Sequence, residues 1–212
     1  MIIDWLKLVP ALPLLLTPIC LFHSKKIRLR PIERDWDTHW PQIAGLGLHW
    51  IDLGRAVLGA WLLFDALSLP PGTRGAMRYA PIAAQAAVLI VSSCVQAFLC
   101  KERDSAHAPF MFVTGLILGF YPPSVAGFSI LLALTAAAGS RTPWVYFPLL
   151  AILVAGLGFL FLGQGALIRL AAGAAAVALP WLLSLMFRRT LMLSYRARRS
   201  SQESGGAKSE LR

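Results

Sequence analysis

Three ionisable residues, Asp52, Arg55 and Asp65, stand within one otherwise apolar stretch, about Leu48 to Leu69. An ionisable side chain in such a setting is costly unless it is paired, so it marks a candidate site. Asp52 and Arg55 are three residues apart, which on a helix puts a carboxylate and a guanidinium within reach on one face. The next apolar stretch, about Tyr79 to Cys100, carries Gln85, Ser92 and Gln96. Their spacings repeat close to the helical period, so all three share one face. Thr114 and Thr135, in two further apolar runs, fall at a similar depth. The expected arrangement is a polar layer of Asp52, Arg55, Ser92, Gln96, Thr114 and Thr135. His49, Lys101, Arg103 and Arg141 cap it and are available to a phosphate headgroup or a docked partner.

Two kinds of chemistry are open to such a layer. It can form a pathway or gate for a small solute, or it can act on lipid headgroups with Asp52 or His49 as base. Against both stands a plainer reading. The Asp52–Arg55 pair neutralises itself, and Gln, Ser and Thr bond across helices as packing contacts. Specific catalytic motifs are missing: there is no G-x-S-x-G, no P-loop and no H-E-x-x-H. His23, His39, His49 and His107 lie near one predicted side but not deep within a span. Cys20, Cys94 and Cys100 lack C-x-x-C spacing. No metal, no cofactor and no catalytic residue is expected.

The elements that must hold these residues are helices. The chain has 212 residues, 57% of them hydrophobic and 14% charged, against about 25% charged in soluble domains. Several apolar runs approach the roughly 20 residues that cross about 30 Å of hydrocarbon. The expected class is an all-α, polytopic transmembrane helical bundle of about six membrane segments. An N-terminal segment, 1–22, with Pro10, Pro13 and Pro18, either spans or lies at the interface. Then come a basic segment (23–47), a helical membrane domain (48–187) and a basic, partly disordered tail (188–212).

Within the membrane domain the run from Pro109 to Gly139 is too long for one ordinary span and is broken at Pro122 and Pro123. The positive-inside rule decides how it is traversed. If the two halves form a hairpin, fifteen of the loop and tail cations fall on one side and three on the other. If the run crosses once, the split is eight against ten. The hairpin is expected, and with it a cytoplasmic tail. Each arm is either a short span or part of a re-entrant loop. Gly115-x-x-x-Gly119 in the first arm predicts close helix packing within the chain.

The net charge is +10. Because the excess sits beside apolar runs, it points to anionic lipid headgroups rather than to nucleic acid. The reading that follows is a small multi-pass protein of the bacterial cytoplasmic membrane. Its expected role is that of a non-catalytic accessory or assembly subunit with a membrane-protein partner. The alternatives are a small transporter or channel-like protein using the 109–139 hairpin, and an inner-leaflet lipid-headgroup enzyme.

Overall fold

The computed structural model describes residues 2–18, 27–31, 45–68, 79–99 and 105–196. Among these the chain is mostly helical, with seven α-helices: α1 (Trp5–Leu16), α2 (Gly47–Ala66), α3 (Ala80–Phe98), α4 (Phe110–Phe120), α5 (Pro123–Gly139), α6 (Tyr146–Leu162) and α7 (Leu167–Met186). Three helical segments, Ala80–Phe98, Pro143–Leu162 and Gln164–Met186, are long and apolar enough to cross a membrane.

The helices alternate in direction, as their contacts show. α1 starts beside the end of α2: Asp4 N–H bonds Ala66 O at 2.9 Å, and Ile2 pairs with Ser68. The Gln85 side chain, early in α3, donates to Phe64 O (3.3 Å) and Leu67 O (3.4 Å) at that same end of α2. α4 starts at the opposite end, where Ala108 N–H donates to Met192 O at 2.7 Å. Phe128, early in α5, stacks with Phe161, late in α6, at 6.4 Å. Phe110, at the start of α4, lies 4.2 Å from the ring of Tyr146, at the start of α6. The 109–139 run is therefore a hairpin, and the prolines explain where it turns. Pro122 has extended backbone geometry at the N-cap of α5, and Pro123 takes the first helical turn, where a missing N–H costs nothing.

The first arm differs from expectation in length and setting. α4 has only 11 residues, about 16 Å of helix, because residues 105–107 form a strand instead. Eight of its eleven residues are buried, so α4 is the centre of the bundle and not a lipid-facing span. Gly115 and Gly119 let it approach α2. A Cβ on Gly115 would lie 2.7 Å from Ala56 Cβ, and one on Gly119 would lie 2.9 Å from Ala60 Cβ. The G-x-x-x-G pair thus serves an internal contact, as its spacing predicted.

Strands were not expected, and here the all-α reading is corrected. A two-stranded ladder joins β1 (Ile2–Ile3) to β3 (Leu67–Ser68). A three-stranded sheet has the order β2 (Ile27–Pro31), β5 (Thr190–Arg196), β4 (Ser105–His107). β5 runs antiparallel to β2, with Ile27 opposite Arg196, and parallel to β4, with Ser105 opposite Thr190. The backbone groups of three separate connections satisfy one another at one end of the bundle. Leu191 and Leu193 of β5 are buried in the same core as α4. The first residues of the tail are therefore an integral strand. α7 passes into it through a left-handed Arg188 (φ 52°), with Arg188 N–H donating to Leu185 O and Arg189 N–H to Ser184 O. That is the bond pattern of a Schellman cap.

Candidate functional site

Asp52 and Arg55 meet as their spacing requires. Arg55 Nε donates to Asp52 Oδ1 at 2.7 Å, and Nη2 lies 2.5 Å from the same oxygen. The two side chains are 4% and 9% exposed, so the pair is inside the bundle rather than snorkelling to its rim. Its other partners come from α1. Arg55 Nη1 donates to Leu14 O at 2.9 Å and also to Thr17 O. Gln96 Nε2, fully buried on α3, donates to Leu15 O at 3.1 Å and to Thr17 O at 2.8 Å. The guanidinium also lies over the Phe112 ring of α4, 5.1 Å from its centroid.

The physical reason lies in α1. The last four carbonyls of a helix have no partner within it. α1 starts level with Asp65 and ends level with Arg55, about halfway along α2, so its open end falls in the middle of an apolar body. An unmet carbonyl there costs several kcal/mol by transfer estimates, at about 2–7 kcal/mol per group. The Thr17 N–H and hydroxyl bond Pro13 O. Arg55 donates to Leu14 O, Gln96 to Leu15 O, and both to Thr17 O just past the helix, and a cation at a helix C-terminus is also favoured by the helix dipole. Residues 2–18 thus contribute one helix that ends about halfway along α2.

The second arginine inside the bundle does the same for α4. Arg169, in the first turn of α7, donates through Nη2 to Phe120 O at the end of α4. Its guanidinium carbon lies 4.4 Å from the Phe64 ring centroid, 4.8 Å from that of Phe120 and 5.6 Å from that of Tyr121. Tyr121 OH donates to Arg169 O at 2.6 Å. Gly173 faces Tyr121, where any Cβ would collide with the ring and hydroxyl. Asp65 is bonded by Lys7 of α1, whose ammonium also lies 3.5 Å from Asp4. Lys7 reaches Asp65 because α1 packs along α2, a juxtaposition with no local sequence signal.

The rest of the expected polar layer does not assemble. Ser92 is buried but donates to Leu89 O of its own helix, at 2.8 Å. Thr114 is buried on α4, donates to Phe110 O and sits 2.6 Å from Tyr146 OH. Thr135 lies on the outer face of α5, bonded to Leu131 O and Leu132 O of its own helix. Sequence spacing gave its depth, and the face of α5 it occupies points away from the other five residues. His49 and His107 are buried, and Arg141 is an exposed left-handed residue (φ 61°) just past α5. Lys101 and Arg103 lie outside the described residues. Among the described residues no group of three His, Cys, Asp or Glu side chains comes together as a metal site would require.

The class these observations define is a mostly helical bundle with three helices long and apolar enough to cross a membrane, and with two arginines, Arg55 and the half-buried Arg169, bonded to the ends of its two shortest helices. No family model, curated protein or solved structure matches the chain, so no function is carried over from a relative.

Proposed function

We propose that the chain is a small multi-pass protein of the cytoplasmic membrane, crossing it about six times with α1 as a half-length embedded helix. Its role is that of a non-catalytic accessory or assembly subunit. The observation that carries this reading is the fate of the buried polar groups. Arg55, Gln96 and Arg169 each donate to backbone carbonyls of the chain itself, and Thr114 bonds Phe110 O and Tyr146, so polar side chains that could have met a solute are bonded within the fold. What the bundle offers outward is one end where residues 27–31, 105–107 and 190–196 are drawn together as the β2–β5–β4 sheet. The cation count puts these same segments in the cytoplasm. Such an end suits a membrane-protein partner flanked by anionic headgroups.

The test is purification in mild detergent with a tag after Arg212. The expected outcome is a second membrane protein that copurifies reproducibly and is lost when Arg196, Arg198 and Arg199 are replaced by Ser. A lone, partner-free chain in native-lipid preparations counts against the role. Reporter fusions at Ser124 and after Ser200 should signal from opposite sides of the membrane.

A transporter-like reading is kept for one reason. A helix that ends inside the bundle, as α1 does, is the kind of element that lines solute sites in transporters. It predicts that Asp52→Asn abolishes flux in proteoliposomes, whereas the subunit reading predicts no flux in either protein.

A further inference from the structure

The surroundings of Arg55 have the composition of a cation-binding site whose occupant belongs to the chain. Two backbone oxygens, Leu14 O and Thr17 O, and the carboxylate oxygen Asp52 Oδ1 all point at the guanidinium. The face of Phe112 closes one side. The C-terminal end of α1 adds the negative pole of its dipole, equivalent to about half an elementary charge. Gln96 holds Leu15 O and Thr17 O from the side of α3, so this end of α1 keeps a donor on α3 when Arg55 is gone. The geometry suits one class of cation. A planar fork of donors can address a carboxylate on one edge and carbonyls on another while stacking on a ring, and a point-like ammonium cannot.

We propose that the end of α1, Asp52 and Phe112 form a guanidinium-binding site, filled in the native protein by Arg55 and able to take a free guanidinium ion when that side chain is removed. The docking of α1 is then an ionic latch. It depends on a cation in this site and not on the covalent link between that cation and α2. The proposal goes beyond the accessory role and holds in either orientation of the bundle.

The experiment is chemical rescue of the full-length Arg55→Ala variant in detergent, followed by thermal unfolding. Losing one partner of a buried ion pair should lower Tm by roughly 10 °C. Adding about 10 mM guanidinium chloride should restore at least half of that loss, because a ligand that binds only the folded state raises its stability by mass action. An equal concentration of sodium chloride should restore none, and the wild type, whose site is full, should not respond. Arg55→Lys should respond to guanidinium less than Arg55→Ala, since the lysine chain takes up room in the site and its ammonium keeps Asp52 paired, although it cannot reproduce the forked contacts. Asp52→Asn with Arg55→Ala should need about tenfold more guanidinium, by the loss of one charge-assisted contact.

If Arg55→Ala cannot be recovered folded, it should be extracted and purified with guanidinium present throughout. Recovery of a monodisperse protein with guanidinium, and not with sodium, supports the proposal. Failure with both overturns it. So does rescue of equal size by sodium, a wild-type response as large as the variant's, or rescue of Arg55→Lys to the same degree.

Discussion

Leucine at position 119 should abolish the folded protein. Gly119 lies where α4 crosses α2, and a Cβ there would stand 2.9 Å from Ala60 Cβ and press into the Val57 carbonyl oxygen. Backbone cannot swing aside as the tip of a side chain can. α4 is enclosed on nearly all sides, so it cannot retreat without opening the core that includes Phe112, Leu116 and Phe120. Ordinary overpacking costs about 1–3 kcal/mol. Four heavy atoms forced against backbone exceed that range and consume much of a total stability of about 5–15 kcal/mol. The check is the fraction recovered as a monodisperse peak by size-exclusion chromatography in mild detergent, beside Gly127→Leu. Gly127 has open space around its Cβ position and should tolerate leucine. Equal recovery of the two variants would remove the α2–α4 crossing from the account.

This contact was legible before the structure because it rests on a local pattern, two glycines four apart in an apolar run. Helix boundaries were legible for the same reason. Apolar length and proline breaks placed α2, α3 and α5 within about three residues of their ends. The hairpin turn at Pro122-Pro123 followed from charge counting, which is a sum over the chain and survives local errors.

What could not be read is direction around a helix axis. Ser92 bonds within its own helix, and Thr135 faces outward with Phe128 and Leu131. Nor does a sequence show backbone acceptors. The carbonyls of Leu14, Leu15 and Thr17 decide what Arg55 and Gln96 do, and any residues could have supplied them. The sheet was half legible. Ile27-Arg28-Leu29-Arg30 alternates with the period of a strand, but four residues of alternation do not name the partner strand. β4, three residues long, carries no pattern of its own.

Arg169→Met should lower Tm by about 5–15 °C, and the reason is the same demand that α1 places on Arg55. Methionine fills similar space without a charge or a donor. The Phe120 carbonyl then loses its partner at the end of α4, and three ring faces lose the cation they surround. A hydrogen bond to a charged group contributes about 1.5–3 kcal/mol, and cation–ring contacts at partly desolvated sites about 0.5–2 kcal/mol. At about 2–4 °C per kcal/mol for a chain of this size, the sum gives the stated range. Tyr121→Phe, which removes only the bond to Arg169 O, should cost far less, at about 1 kcal/mol. Phe64→Leu combined with Arg169→Met should be less damaging than the two single losses added, because the pair shares one contact. Strict additivity would mean that the rings merely surround Arg169. A wild-type Tm for Arg169→Met would mean that an open helix end inside this bundle needs no donor, and the explanation of Arg55 and Gln96 as caps on α1 would fall with it.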